Sequence, residues 1–532
     1  MISTFMGLET SKRGMSIAQN ALYTTGHNVA NANTPGYSRQ RVNLNPSLAF
    51  PSPGLNSPKV PGQLGTGVEA GSIQRIRDSF LDTQYRSQNS KVGYYGSLSE
   101  SLSKMEEIMN DPTDSGLLKV MNNFWNALQD ITVNTDNAGA RAVVSSAGTM
   151  VADTLNYYYN SLTNVQKDIG FQIGAKEKEI NAIIANINSI NESIAKIEPN
   201  GYIPNDLYDE RDMLVDELSN YMNIKVTRVM PEEYGIADRA VATGLYNIEL
   251  VKTDGSSYDS PINLVGASAD EGLTGYVQLE ISPKEDGEIS GPITGIEFVA
   301  TAGINGNDSG VGGQLNEFTF SGELVGLIES YGYENESGEV KGRYPEMLEK
   351  LNNMTRAFAE EFNKVHSEGY YLDGDGVAQN GGDFFEDFES AGTIKVNADI
   401  IKDPSKIALA EGADAAASDN KNAHTLAAIQ FKNFSEYDTP PEGLSGNLDT
   451  YYAGIIGNLG VDSLSVQKDY ANATTLAASV ENNRQSVSAV SLDEEMTDMI
   501  KFQQSYNASA RMVTLVDEML DKIINGMGVV GR

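Results

Sequence analysis

MISTFMGLETSKRGMSIAQNALYTTGHNVANANTPGYSRQ, residues 1–40, decides how this chain is organised. Leu8, Ser11, Met15, Ala18, Leu22, Thr25 and Val29 recur at alternating steps of three and four, the seam of one helix lying along another. Ser11 and Thr25 make the seam polar and Ala18 leaves it without bulk, so the helix is marginal alone and needs a partner. The pattern stops at Asn31-Ala-Asn33-Thr-Pro35-Gly36-Tyr37. Pro35 disfavours helix at Thr34, and Pro-Gly suits the centre of a type II turn. The far end of the chain supplies the partner. Met499, Phe502, Tyr506, Ser509, Val513, Val516, Leu520, Ile523 and Met527 follow the same spacing, and Ser491-Leu-Asp-Glu494 ahead of them reads as a capping box. The two ends are expected to pair with each other or with copies of themselves.

Composition narrows the function. The chain has no cysteine, which excludes disulfides, zinc-thiolate sites and thiol nucleophiles and suits an exported protein that must not crosslink. His27, His366 and His424 are far apart in sequence, so no histidine metal site is expected. A net charge of −35 argues against nucleic acid and anionic membrane as partners. Residues 1–78 are mildly basic and the acidity falls later, chiefly in 190–420; most of these charges read as solvated faces. Met1 to Phe5 is not followed by an apolar core with a cleavage site, and no apolar run approaches roughly 18 residues, so neither a cleaved signal peptide nor a membrane span is expected.

Between the termini, 42–71 is rich in Pro, Gly and Ser and reads as an extended connector. Gly65-Thr-Gly67-Val-Glu-Ala70 lacks the strand and βαβ context of a dinucleotide fingerprint. From about 72 to 198 the pattern is helical: Arg75–Asn110 holds one long helix, Leu117–Asp130 a second around Trp125. Then Ile169, Ile173, Lys176, Ile180, Ile183, Ile187, Ile190, Ile194 and Ile197 give a coiled-coil-like packing seam, ended by Pro199-Asn-Gly201. A helix from Asn205 closes near Asn223. Residues 224–321 alternate apolar and polar and are punctuated by Asp-Gly and Gly-Pro turns, a β-rich insertion. Asn305 to Asn316 and Asp373-Gly-Asp-Gly376 each lack calcium ligands at the template positions. Helices resume at Gly322 and Tyr344, and a last seam runs through Val466, Tyr470, Ala473, Ala477, Val480, Arg484 and Val487.

The same terminal residues carry a resemblance. Ala30-Asn-Ala-Asn-Thr-Pro-Gly-Tyr-Ser-Arg-Gln40 resembles the signature loop after the first helix of flagellar axial proteins, and Ser488–Met496 with Gln503, Tyr506, Ala510 and Arg511 is similar to their C-terminal helix. Interior stretches (Asn205–Leu218, Ser321–Ile328, Arg356-Ala-Phe-Ala with Gly369-Tyr-Tyr and Gly382-Asp-Phe-Phe385, and Asp403–Ala408) resemble the hook-associated branch of that family. The expected fold is mainly α with a β-rich insertion, in nested discontinuous domains. The terminal helices pair as a coiled coil (1–36 with 488–532) outside a long helical-bundle middle domain (37–223 with 322–487) and a β-rich outer domain (224–321).

The resemblance implies a structural protein of the bacterial flagellum that joins hook to filament by helical self-assembly around the export channel, without catalysis, cofactor or metal. Its implied partners are copies of itself, the hook protein, a second junction protein and an export chaperone at the C-terminal helix; the chain would leave unfolded through a type III apparatus. The assembly residues it implies are Leu8, Met15, Leu22, Val29, Asn31, Asn33, Pro35, Gly36 and Tyr37 at one end. At the other they are Met499, Phe502, Tyr506, Val513, Val516, Leu520, Ile523 and Met527. The rival readings are an adhesive or filament-type surface protein, and a cell-wall hydrolase using two of the many carboxylates.

Overall fold

The computed structural model describes residues 4–51, 62–109, 116–231, 234–236, 241–268, 274–301, 314–315, 318–373, 376–412, 416, 418–437, 440–441 and 443–526. Met527, Gly374–Asp375 and nearly all of the 305–316 loop lie outside them. Helix α1 (Thr4–Ala30) leads through the Pro-Gly turn to an antiparallel pair, β1 (Gln40–Pro46) and β2 (Val68–Arg75), with Gln40 opposite Arg75. Four helices follow: α2 (Ser79–Met109), α3 (Leu117–Val133), α4 (Ala138–Ile197) and α5 (Asn205–Tyr221). Helix α4 is 60 residues long, about 90 Å at 1.5 Å per residue. Asn137 caps it, accepting the amide hydrogens of Gly139 and Ala140. It ends where Pro199-Asn-Gly201 predicts, in a 3-10 turn closed by Gly201 at φ +82°.

The insertion forms an antiparallel sheet of six strands in the order β10-β9-β6-β5-β4-β3. Its members are β3 (Ile224–Val229), β4 (Leu245–Val251), β5 (Ser257–Ala267), β6 (Thr274–Ser282), β9 (Gly295–Ala300) and β10 (Gln314–Leu315), with a small hairpin of β7 (Lys284–Glu285) and β8 (Glu288–Ile289) between β6 and β9. The chain returns to helix in α6 (Glu323–Tyr331) and α7 (Arg343–Glu368), passes the short α8 (Ala398–Lys402) and α9 (Lys421–Ala428), and closes with α10 (Leu448–Ser488) and α11 (Leu492–Gly526).

Every isoleucine of the seam is buried except Ile197, which is half-exposed, as is Lys176 within it. What it faces differs from a coiled coil. Along this stretch α4 lies on β6, α5 and α6 rather than on one long partner helix. Two asparagines anchor it to strand backbones. Asn181 donates to the carbonyl of Leu279 (2.9 Å) and accepts its amide (2.7 Å), and Asn191 does the same at Tyr246 (2.9 and 3.3 Å). Periodicity reports which side of a helix is dry, and a sheet dries it as well as a helix does. Trp125 is core, 1% exposed, beside Phe124 and Phe358, and Phe384 and Phe385 join the same aromatic cluster.

Helices α2 and α10 run antiparallel. The Tyr452 hydroxyl donates to the Met109 carbonyl at one end (3.0 Å), and the Arg484 guanidinium lies 4.2 Å from the Tyr85 ring centre at the other. On its other side α2 meets α5 so closely that a Cβ on Gly93 would stand 2.1 Å from the Asn220 carbonyl oxygen.

His366, fully buried at the end of α7, ties two loops together. Its Nδ1 lies 2.6 Å from the Gly382 carbonyl and its Nε2 accepts the Ala408 amide hydrogen (3.1 Å). Only the neutral ring with its proton on Nδ1 can make both bonds, and burial lowers its pKa. The unfolded histidine gains a proton below about pH 6.5 while the folded one resists it, so stability falls as pH falls through that value, by up to about 1.4 kcal/mol per pH unit. Urea unfolding at pH 7 and pH 5 should show His366→Gln losing less stability on acidification than the parent; an equal loss in both would refute the assignment.

Candidate assembly site

The chain ends meet. Helices α1 and α11 lie side by side and antiparallel, with a fixed register: Gly7 faces Val516, Gly14 faces Ser509, and Asn28 donates to Glu495 (3.0 Å), and the numbers of each pair add to the same total. A Cβ on Gly14 would sit 3.0 Å from the Ser509 hydroxyl, so small residues set the spacing of the two helices.

On α11 the predicted seam faces inward. Val516 is buried, and Met499, Phe502, Tyr506, Val513 and Leu520 are half-buried, while Ile523, near the end, is 43% exposed. On α1 the covered stripe lies to one side of the predicted seam. Ala18 and Thr25 are buried, but their buried companions are Ile17, Ala21, Thr24 and Asn28, and Leu8, Met15, Leu22 and Val29 are only half-buried. The cause is a second neighbour: the β1–β2 pair also packs on α1, with Asn28 donating to the Gln40 carbonyl (2.8 Å) and a Cβ on Gly67 3.4 Å from Thr10.

The loop after α1 is held from within. Thr34 donates its amide to the Asn31 carbonyl (2.9 Å) and its hydroxyl to the Asn31 side chain (3.1 Å), and Gly36 takes φ +77° in the Pro-Gly turn. The Tyr37 hydroxyl donates to Asn28 Oδ1 (2.8 Å) beside His27 Nδ1 (2.9 Å). Burial first, then Asp209, Asp206 and Glu495, push its pKa up and keep it protonated. Asn33, Pro35 and Gly36 project into solvent.

Arg39 clamps the joint between the helix pair and the body. It donates to Glu495 (2.6 Å), pairs with Glu494 and reaches Asp498 (3.8 Å), while its amide donates to the Ser488 carbonyl (2.9 Å). Glu494 is thus engaged by Arg39 instead of reaching back in a capping box: a guanidinium is a stronger carboxylate partner than a backbone amide. The capping box the structure does contain is at α10, where Asn447 and Thr450 exchange bonds.

Beneath lies a buried charge cluster, where solvated charged faces are expected from the sequence. Asp209, Asp212 and Asp216, three and four apart, share one face of α5. Arg75 bonds Asp209 (2.7 Å) and Asp212 (2.9 Å), Arg86 bonds Asp216 (2.7 Å) and Asp212 (3.3 Å), and Arg77 lies 3.5 Å from Asp212 and 2.8 Å from Asp82. Arg484 of α10 closes on Asp216, and the Tyr246 hydroxyl donates to Asp212 (2.8 Å). Burial alone would raise the Asp212 pKa, but Arg77, Arg75, Arg86 and Arg211 together hold it far below the usual carboxylate range. The Asp-Asp-Asp spacing was the available signal; the arginines that make it a core lie far away in sequence. Above this cluster the 32–38 loop, Arg77, Tyr85, Met213 and Arg484 line a cleft of about 500 Å³.

Helix α11 also leaves bulky apolar side chains uncovered around its circumference: Leu492, Met496, Ile500, Met512, Leu515, Met519 and Ile524 are all exposed. Among the described residues no group of three or more His, Asp or Glu side chains could hold a metal ion, and no helix is long and apolar enough to cross a membrane.

The antiparallel end helices and the loop between α1 and β1 fit the resemblance to flagellar axial proteins, and comparison with known proteins shows the family. Residues 8–37 match the flagella basal body rod protein family and 481–526 the C-terminal family of flagellar basal body rod FlgEFG proteins. Residues 102–257 and 271–385 match the helical domain of flagellar hook-associated protein FlgK. The chain is 44% identical to flagellar hook-associated protein 1 of Bacillus subtilis over the full length of both, and 22% identical to that of Escherichia coli over 97% of this chain and 99% of the other. The flagellar hook junction protein FlgK of Burkholderia pseudomallei shares the fold, with a TM-score of 0.55 at 13% identity over 76% of this chain and all of the other. The chain belongs to the flagellar hook-associated protein 1 family, a structural component of the hook–filament junction.

Proposed function

We propose that the chain joins hook to filament by stacking helically, its terminal helices forming a coiled-coil domain (1–36 with 488–532) around the export channel. The middle domain (37–223 with 322–487) and the sheet-bearing outer domain (224–321) would build the wall. The observation that carries this is the set of exposed apolar side chains on α11, which one chain leaves uncovered and neighbouring subunits would bury. Partners on either side are the hook protein and a second junction protein. Before export, a chaperone shields the C-terminal helix; the chain passes unfolded through the type III apparatus to the flagellum outside the cell. The family assignment sets aside the adhesive and hydrolytic readings.

Deleting residues 507–532 removes Val513, Val516 and Leu520 from the helix pair and leaves the buried body intact. The truncated protein should stay monomeric with a near-parental melting midpoint, fail to bind the chaperone, and fail to restore filaments to a deletion strain that keeps its hooks. Filaments attached by the truncated protein would refute the proposal.

A further inference from the structure

A line of bulky side chains runs along the outside of α4. Val143, Met150, Tyr157 and Phe171 are 57%, 50%, 62% and 55% exposed and fall at intervals of seven or twice seven. They therefore stay on the outer side of the helix for about 42 Å at 1.5 Å per residue, drifting by about 20° per heptad. This is not the seam of the helix; its buried side carries Val144, Val151, Leu155, Tyr158, Leu162 and Ile169. Scattered exposed apolar residues need no explanation, but a helical ladder ending in two aromatics does.

The outer face of α10 is another uncovered strip, in which small residues flank two bulky ones. Turned away from α2, Gly457, Val461, Leu464, Ala471 and Ala478 follow one another at helical spacing, all exposed, and Val461 and Leu464 reach 66% and 68%. Packing α10 on α2 rather than on α4 leaves the two ladders with no contact to make within one chain. Gly457, Ala471 and Ala478 leave hollows on either side of Val461 and Leu464, and the larger side chains of the α4 ladder fit such hollows as knobs enter holes.

Building on the proposed helical stacking, we infer that the α4 ladder of one subunit docks on the α10 face of the next copy. Two unlike faces suit an open stack, because a contact of α4 with α4 would close a two-fold dimer and end growth. Area also favours a second copy in the assembly over a tight partner in solution. A strip about 42 Å by 10 Å on each chain buries about 800 Å² in all, below the roughly 1,200 Å² of a stable free complex. The contact holds only where the terminal helices join in, so free subunits stay monomeric.

The absence of cysteine makes the test direct. Met150→Cys or Tyr157→Cys is combined with Val461→Cys, Leu464→Cys or Ala471→Cys, and assembled flagella are treated with a short bis-maleimide. At least one double variant should shift the monomer band into a ladder of dimers, trimers and higher species, and each single variant should stay monomeric. Dimers from Met150→Cys alone, bands shared with another flagellar protein, or no ladder in any combination on flagella with attached filaments would overturn the inference. In a second arm, Met150→Glu with Tyr157→Glu should leave the melting midpoint of the secreted monomer unchanged and reduce attached filaments at least tenfold; normal filament numbers would overturn it. If the unsubstituted protein itself fails to restore filaments to the deletion strain, the junction reading fails and this inference with it. If filaments are restored and no ladder forms, only the inference falls.

Discussion

Asp212→Ala should destabilise the protein by about 3–5 kcal/mol, the cost of removing one partner from a buried ionic group. Asp212 is 1% exposed and is the carboxylate on which Arg75, Arg77 and Arg86 converge. Without it three guanidiniums remain with too little negative charge, and the Tyr246 hydroxyl loses its acceptor. Those arginines come from β2, the turn after it and α2, so the loss loosens the seat of the β1–β2 pair and, through it, of both terminal helices. The denaturant midpoint should drop, and proteolysis near Arg39 and Ser488 should quicken. Restoring neutrality with Arg86→Met in the same chain should recover part of the loss; a midpoint unchanged by Asp212→Ala would show that solvent reaches the cluster.

Ile187→Asp should be nearly as costly. Ile187 is fully buried, within the one continuous core cluster that also holds Ile248, Leu264 and Val277 of the sheet. The change puts a charge into an apolar core or forces a proton onto it, at about 4 kcal/mol or more. Ile187→Val, which removes one methyl group, should cost only about 1 kcal/mol. Equal midpoints for Ile187→Asp and the parent would mean that the helix side is wet.

These two residues show what the sequence could and could not say. Ile187 was legible because an apolar residue repeated at helical spacing has one economical explanation, a dry side. Its surroundings were not, since a sheet and a helix impose the same period on α4. Asp212 was harder. Its spacing from Asp209 and Asp216 is as regular as that of the isoleucines, but aspartates at such spacing also describe an ordinary solvated face. What decides between the two is Arg75, Arg77, Arg86 and Arg484, which the fold brings in from β2, the turn after it, α2 and α10. The same holds for Glu494, whose capping role looked complete within its own four residues until Arg39 arrived. On α1 the seam was displaced by the β1–β2 pair, a neighbour that no periodicity on α1 itself encodes. Turns and breaks were read well, as at Pro35-Gly36 and Pro199-Asn-Gly201, because proline and glycine act through their own backbones.

The register between α1 and α11 has a consequence in time. Its two halves are far apart along the polypeptide, with 467 positions separating Asn28 from Glu495. A ribosome, or a pore threading the chain from its first residue, delivers one half at the outset and the other at the finish. The helix pair can therefore close only after everything between the two helices has been delivered, and a chain interrupted before α11 never presents it. Proofreading comes free of any dedicated checkpoint: only a molecule delivered through α11 owns the part by which it would be accepted.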